Sequence, residues 1–159
     1  MGIKKEVIIG DCRLLLGDCK NILPSIERAS VVISDPPYEE EAHTKSRRTM
    51  GSEGLKNNVL SFVKMNEDLR GFICEQSTRI ADGWIMFFCQ AEAIKIWGDG
   101  IESKGGKYIR PMIWVKPDGL PQYTGDRPAM GYESISLCHS SKQKLAWNGG
   151  GATWCVFDS

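Results

Sequence analysis

The sequence predicts an α/β fold, because two apolar strand-like segments, a helical segment between them and a later strand pair follow one another. Residues 29–34 and 83–89 are continuous apolar runs rich in β-branched or aromatic side chains, which is typical of strands covered on both faces. Residues 59–81 place apolar side chains at helical spacing. Residues 108–115 and 133–138 have strand character and are joined by a Pro- and Gly-rich stretch, so we expect a C-terminal antiparallel pair.

The remaining segments complete an alternation of strands and helices within one domain of 159 residues. Residues 13–18 are expected to form a short strand that ends in a turn, and residues 21–27 one or two helical turns. Residues 90–97 are expected to form a helix that ends near the glycines of residues 98–100. Residues 39–58 lack any period and are rich in charge, Gly and Ser, so we expect a mobile loop.

Composition restricts the classes of function. Twenty basic residues balance twenty acidic ones, so the overall charge gives no nucleic-acid signal. No apolar run approaches the ~20 residues that span a bilayer, and a cytoplasmic protein without a membrane partner is expected. The cysteines show no close spacing typical of zinc sites, so we expect no metal and mostly buried, reduced thiols. They are Cys12, Cys19, Cys74, Cys89, Cys138 and Cys155.

The tetrapeptide Asp35-Pro36-Pro37-Tyr38 carries the strongest chemical signal. It directly follows the first apolar strand, and open α/β sheets bind their ligands at the carboxyl ends of strands. Methylation of an exocyclic amine requires acceptors for its two N–H groups, because they localise a lone pair that is otherwise delocalised into the base. The Asp35 carboxylate and the Pro36 carbonyl are two such acceptors, and the two prolines hold the turn rigid.

Tyr38 supplies a flat face on which a base flipped out of a duplex can stack. Such stacking contributes ~1–3 kcal/mol, comparable to the few kcal/mol that flipping costs. The alternative interpretation is an ordinary strand-terminating turn, since Asp and Pro both favour turns. The preceding strand and the following loop favour the functional interpretation, and Asp35, Pro36, Pro37 and Tyr38 are therefore the predicted catalytic residues.

The sequence resembles the DNA adenine-N6/cytosine-N4 methyltransferases, in the permuted, phage-type subgroup whose catalytic region precedes its cofactor-binding region. The resemblance covers roughly residues 10–151, and Asp35-Pro36-Pro37-Tyr38 is its most specific part. The supporting motifs are Gly17-Asp18-Cys19, Leu23-Pro24, Val31-Val32-Ile33-Ser34, Ala81-Asp82-Gly83-Trp84-Ile85-Met86-Phe87, Ile113-Trp114-Val115-Lys116-Pro117, Gly125-Asp126-Arg127-Pro128 and Gly131-Tyr132-Glu133.

The resemblance implies a Rossmann-like methyltransferase fold that uses S-adenosylmethionine. It favours adenine N6 as the target, because the form that begins with Asp is commoner in the adenine enzymes. It implies that Asp18 and Asp35 bind the cofactor, with Asp18 near the adenosyl part. Asp18 is equally well explained as a polar residue closing a strand. The resemblance also implies that Trp114, Lys116 and Pro117 help to wall the target-base pocket, although Trp114 is better explained as a core residue.

Basic residues near the motif are candidate DNA contacts. Lys45, Arg47 and Arg48 follow the catalytic turn in a segment that is expected to be a loop, and Lys116 follows a later strand. Lysine and arginine supply most phosphate contacts in protein–DNA complexes. A solvated charged loop is the alternative interpretation for the first three residues.

The sequence departs from the family in its cofactor region. The family holds the methionine end of the cofactor with an Asp-Pro-Phe-x-Gly-x-Gly-like turn, and the glycines of residues 98–100 and 148–151 lack the strand–turn–helix context of such a turn. We therefore expect an incomplete fold, with an exposed sheet edge beside the catalytic strand. The expected form is the N-terminal portion of a longer or split enzyme, which by itself binds S-adenosylmethionine weakly or not at all and pairs with a C-terminal partner fragment or a second copy.

The sequence thus predicts a DNA methyltransferase that acts on adenine N6, in a restriction-modification or phage setting in the cytoplasm of a bacterial or phage-infected host cell. One alternative is a catalytically silent remnant that binds nucleic acid or a partner. Another alternative moves the same chemistry to RNA or a protein amide. Related enzymes of that kind usually begin the motif with Asn, so Asp35 argues against it.

Overall fold

The structure, a computed structural model, describes residues 2–37, 65–117, 119, 123, 125–147 and 156–158. Its strands are β1 (Lys5–Ile9), β2 (Cys12–Leu16), β3 (Val32–Ser34), β4 (Trp84–Cys89), β5 (Lys107–Val115), β6 (Tyr132–His139) and β7 (Val156–Asp158). Its α-helices are α1 (Cys19–Ile22), α2 (Glu67–Ile80) and α3 (Ile94–Glu102), and 3₁₀ turns occupy Leu23–Ser25 and Ala91–Ala93. The alternation confirms the predicted α/β class.

The main sheet has five strands in the order β3-β4-β6-β5-β7. Strand β4 runs parallel to β3 and antiparallel to β6, and β6 pairs antiparallel with β5. The β5–β6 pairing confirms the predicted C-terminal antiparallel pair. The parallel β3–β4 step places the carboxyl ends of these two strands side by side, which is where ligands bind in open α/β sheets.

Strand β3 lies at the edge of the main sheet, and this corrects the expectation that residues 29–34 are covered on both faces. Val31 is 43% exposed and Ile33 is 62% exposed. The β-branched run has the composition of an inner strand, but among the described strands only β4 pairs with it. Among the described strands, the side of β3 away from β4 has no partner, and whether the fold is incomplete stays a prediction.

The first two strands form a separate antiparallel hairpin. The strand predicted over residues 13–18 exists as β2 (Cys12–Leu16), and it pairs with β1, a strand that was not predicted. Several large apolar side chains of this hairpin are exposed, namely Ile8, Ile9, Leu14 and Leu16. The helical turns predicted over residues 21–27 are α1 and the 3₁₀ turn that follows it.

Helix α2 confirms the helical prediction over residues 67–80; residues 59–64 lie outside the described part. It begins where the side chain of Asn66 accepts a hydrogen bond from the backbone N–H of Leu69 at 2.8 Å. Glu67 and Asp68 place negative charge in the first turn, which complements the helix dipole. The predicted apolar stripe faces the core, since Leu69 and Ile73 are buried.

Helix α3 continues through the glycines at which it was predicted to end. The reason is packing. A Cβ at Gly98 would lie 2.6 Å from Cδ2 of Tyr108, and a Cβ at Gly100 would lie 2.7 Å from Sγ of Cys74. These glycines allow α3 to approach β5 and α2 closely, so their role is not to stop the helix.

This packing predicts opposite effects for two Gly→Ala substitutions within helices. Gly98→Ala should destabilise the protein by about 1–3 kcal/mol, because the methyl group meets the base of the Tyr108 ring. Gly71→Ala in α2 should stabilise it by about 0.5–1 kcal/mol, since nothing lies within 4 Å and alanine favours the helix. Urea denaturation measures both changes. A stabilising Gly98→Ala would contradict the close approach of α3.

The two faces of the main sheet differ in their covering. Alternate side chains of β4 are buried against the helices, and the others are half-buried on the opposite face. The helical-face cluster comprises Met65, Leu69, Ile73, Cys74, Ala81, Ile85, Phe87, Cys89, Ala93, Trp97, Ile101 and Cys138. On the opposite face, buried Met112, Ile135 and Leu137 pack with half-buried Trp84, Met86, Phe88, Ile109, Trp114 and Trp147.

Three of the described cysteines, Cys74, Cys89 and Cys138, are buried in the helical-face cluster. Burial raises the pKa of the Cys74 thiol to about 12 and that of Cys138 to about 11. Both side chains therefore behave as inert apolar groups, as expected from the sequence. Cys12 departs from that expectation because it lies exposed in the hairpin.

Candidate active site

Asp35 directly follows β3 at the carboxyl end of the parallel β3–β4 pair. Its neighbour Ser34 pairs in register with Phe87, so Asp35 lies level with the end of β4. The Asp35 side chain is exposed, whereas Pro36 is buried and Pro37 is half-buried. The two prolines thus anchor the turn while the carboxylate faces outward, an arrangement suited to an acceptor that meets a ligand.

The prolines form one side of a shallow pocket. Its other walls come from the end of β4 and from the following helical segment. The lining residues are Pro36, Pro37, Phe88, Cys89, Gln90, Ala93 and Trp97. Trp97 stacks on Phe87, with ring centroids 4.4 Å apart and an interplanar angle of 28°. The pocket therefore has a largely apolar wall, rigidly supported from the core, with the amide of Gln90 as a polar group.

An aromatic pair continues from this pocket across the opposite face of the sheet. Phe88 packs edge-on against Trp114, with ring centroids 6.1 Å apart. The ammonium of Lys116 lies 5.2 Å from the centre of the Trp114 ring. Trp114 is half-buried in this cluster, which agrees with its alternative reading as a packing residue. The packing brings Lys116 to the same end of the sheet as Asp35.

Lys116 is held there by an ion pair with Glu133. Strands β5 and β6 pair antiparallel with Trp114 opposite Glu133, so a lysine two residues beyond Trp114 can reach the glutamate. The two side chains are 36% and 27% exposed. The backbone N–H of Lys116 also donates to the carbonyl of Gly131 at 2.8 Å. Lys116, predicted as a DNA contact, is thus engaged within the protein.

The pKa of the Asp35 carboxyl is raised above its ordinary value. Partial desolvation is the main cause, the negative charge of Glu133 raises the pKa further, and the positive charge of Lys116 lowers it. Among the residues that the structure describes, Asp35 has no ion-pair partner. Its carboxylate is therefore an available acceptor with enhanced basicity, at the place where the sequence predicted the catalytic group.

Asp18 has a local structural role. Its carboxylate accepts a hydrogen bond from the backbone N–H of Lys20 at 2.9 Å and caps the start of α1. None of the described contacts joins Asp18 to Asp35. The structure therefore gives Asp18 a capping role, and its predicted contact with the cofactor stays a prediction.

Several predicted site residues fall outside the described part of the chain. They are Tyr38, Lys45, Arg47 and Arg48, together with the loop expected over residues 39–58. Within the described ranges, no group of three or more His, Cys, Asp or Glu side chains is arranged to hold a metal ion. No helix in these ranges is long and apolar enough to cross a membrane.

The described residues fit S-adenosylmethionine only in part. Asp35 is an exposed carboxylate at a strand end, which suits a cationic ligand. A glycine cradle for the methionine end does not appear in the described ranges. The space beside Gly98, Gly100 and Gly106 is filled by Tyr108, Cys74 and Ile101 respectively. Residues 148–151 lie outside the described part.

Glu133, Phe88 and Gln90 belong to this region but were not predicted as site residues. In the sequence, Glu133 is part of a supporting motif, and Phe88 and Gln90 are part of a predicted strand and helix. Two signals were present. Gln90 follows the second apolar strand as Asp35 follows the first, and parallel neighbours end at the same sheet edge. Glu133 and Lys116 flank the Pro- and Gly-rich connection, where an antiparallel pair brings them together.

Comparisons with known proteins agree with this architecture. No family model matches the sequence, and no curated protein matches it. A crystal structure of the M1.HpyAVI-SAM complex is similar, with a TM-score of 0.54 and 17% identity over 85% of this chain. A crystal structure of M1.HpyAVI has a TM-score of 0.60 and 16% identity over 88%. This chain spans 56% and 63% of the two structures' chains, less than two thirds of either.

The shared fold is that of the S-adenosylmethionine-dependent methyltransferases, which confirms the predicted fold class. The match rests on three-dimensional arrangement, since identity is only 16–17%.

Proposed function

We propose that this chain forms the target-amine half of a DNA methyltransferase that transfers a methyl group from S-adenosylmethionine to adenine N6. The single observation that carries the proposal is the position of Asp35. An available carboxylate with a raised pKa follows a strand at the edge of the described sheet, on a turn fixed by two prolines. One of the similar structures is a complex with S-adenosylmethionine, which supports this cofactor here.

In this proposal the chain's own residues prepare the amine. The Asp35 carboxylate and the Pro36 carbonyl each accept one N–H of the exocyclic nitrogen, which localises its lone pair. Bound S-adenosylmethionine supplies a methyl group on a sulfonium, and the sulfur keeps the electron pair of the broken C–S bond. The methylated nitrogen then loses one proton, for which Asp35 is the available acceptor. Tyr38 stacks on the flipped base, and Lys45, Arg47 and Arg48 contact phosphates.

The test is methyl incorporation into duplex DNA in the presence of S-adenosylmethionine, with modified nucleosides identified by mass spectrometry. Because this half is expected to bind the cofactor weakly, N6-methyladenine is expected at a low level with the wild-type chain at high S-adenosylmethionine concentration, and it should fall to background with Asp35→Ala. Methylation at cytosine N4 would reject the adenine assignment. Equal incorporation by the Asp35→Ala variant would reject the site. Binding to DNA without any incorporation would favour the silent binding module instead.

We also propose that a C-terminal partner fragment covers the open edge of β3. The support is that, among the described strands, only β4 pairs with β3, and that Ile33 on this strand and Val31 just before it are exposed. An apolar strand edge of this kind favours the addition of another strand. In the same assay, a separately expressed partner fragment should raise incorporation by wild type, and Ile33→Lys should abolish that increase. An increase that Ile33→Lys leaves intact would place the partner elsewhere, and a second copy would show instead as a dimer in sedimentation.

A further inference from the structure

The ion pair between Lys116 and Glu133 differs from the other ion pairs in the described ranges. Both of its side chains are mostly covered, at 36% and 27% exposure. In each of the other pairs at least one partner is more than half exposed, as in Lys95–Asp99 at 61% and 60%. Exposed pairs contribute little to stability, so a covered pair with defined geometry calls for a specific explanation.

The position of the Lys116–Glu133 ion pair is set by strand register and by contacts with Trp114. The β5–β6 register places Trp114 opposite Glu133, and the Lys116 ammonium lies over the Trp114 ring. Trp114 in turn packs on Phe88, which lines the pocket beside Pro36 and Pro37. A continuous set of contacts therefore connects the pair to the turn that carries Asp35.

Charged groups from two elements act on Asp35. Glu133 is the second residue of β6 and raises the pKa of Asp35, while Lys116 follows β5 and lowers it. From β4, the only nearby group that ionises is the Cys89 thiol, which is buried on the helical face. Among the described residues, Lys116 is thus the cation that acts on Asp35, and it is bound to Glu133.

We propose that Glu133 is a positioning residue that holds Lys116 and so keeps the Asp35 carboxylate free to accept protons from the target amine. The inference rests on the proposed function of Asp35 and extends it to the control of that residue. Without Glu133, the Lys116 ammonium would turn to Asp35, since a partly covered cation without a partner is unfavourable. The salt bridge would then occupy the oxygens that the amine needs.

The test measures the Asp35 carboxyl directly, by ¹³C NMR titration of aspartate-labelled full chain, with Asp35→Ala identifying the signal. Glu133→Gln should move the Asp35 midpoint to lower pH, because the repelling anion is lost and Lys116 is released. Lys116→Met should move it to higher pH, because the attracting cation is lost. Asp99→Asn, in the exposed Lys95–Asp99 pair, is the matched control and should not move it.

The same variants are compared in methyl transfer to duplex DNA. Glu133→Gln should lower kcat by roughly tenfold, less than the ~10²–10³ expected when such a polar group is deleted. Adding Lys116→Met to Glu133→Gln should restore kcat to within a few-fold of wild type, since the competing cation is then absent. If Glu133 had a purely structural role, the second substitution, Lys116→Met, would not restore kcat.

The outcomes separate this inference from the proposed function. Opposite midpoint shifts without methyl transfer by the wild type would support the charge arrangement and reject the enzymatic function. Asp35-dependent methyl transfer with unshifted midpoints would overturn the role of Glu133 alone. A Lys116→Met effect confined to the KM for DNA, with no midpoint shift, would make Lys116 a DNA contact and also overturn the inference.

Discussion

Replacing Asp35 by alanine is expected to reduce methyl transfer by about 10²–10³-fold, while leaving the protein at least as stable as wild type at pH 7. The activity loss follows because the amine loses its carboxylate acceptor. The stability result follows from the raised pKa, since burial and Glu133 make the charged carboxylate less favourable in the folded protein than in the unfolded chain. Removing that charge relieves the penalty.

The raised pKa of Asp35 also determines how the stability effect of Asp35→Ala changes with pH. A carboxyl with a raised folded-state pKa binds more protons when folded, so its charge destabilises the fold above that pKa. The penalty disappears as pH falls below the unfolded-state value of about 3.9. The advantage of Asp35→Ala over wild type should therefore be present at pH 7 and vanish on acidification. Urea denaturation at several pH values measures it.

Asp82→Ala provides the contrast. Asp82 pairs with Arg28 just before β4, at the opposite end of the sheet from Asp35. Its removal should leave methyl transfer unchanged and should not stabilise the protein. If Asp35→Ala instead lowered the free energy of unfolding by more than about 1 kcal/mol, Asp35 would be a structural turn residue. That is the alternative interpretation of the motif from its sequence.

Replacing Trp97 by alanine is expected to destabilise the protein by about 3–5 kcal/mol, the largest stability loss predicted for this chain. Trp97 is 2% exposed and stacks on Phe87 in the helical-face cluster. The guanidinium of Arg70 also lies 5.9 Å from the centre of its ring. Alanine would leave a large cavity between α3 and β4 that the rigid sheet cannot close.

The measurement is urea denaturation followed by circular dichroism. Ile96→Ala is the control, because Ile96 neighbours Trp97 in α3 and is 46% exposed, so its loss should cost under about 1 kcal/mol. Trp97→Phe keeps an aromatic ring on Phe87 and should fall between the two. A loss below about 1.5 kcal/mol for Trp97→Ala would show that Trp97 is not central to the core.

Trp97 also connects stability to the site, since it lines the pocket beneath Pro36 and Pro37. The turn that carries Asp35 and the core residue Trp97 of α3 therefore border the same pocket. In this motif the Asp35 side chain is exposed to solvent, whereas Pro36 is buried.

The sequence by itself determined the elements whose pattern is local. Periodicity and β-branched composition were enough to predict β4, α2 and the β5–β6 pair, because these signals depend on neighbours along the chain. The motif placed Asp35 at the end of a strand for the same reason. Helix α3 was predicted too short, because the close packing that Gly98 permits depends on Tyr108, which lies on another strand.

Only the tertiary structure decided which strand forms the edge and which charges meet. The β-branched run of β3 looks the same whether one or two strands pair with it, and the strand order shows that it lies outermost among the described strands. Asp35, Lys116 and Glu133 are far apart in sequence, so their charges act on one another only through the β5–β6 register and the sheet order. Electrostatic effects depend on distance in space, and no local pattern encodes it.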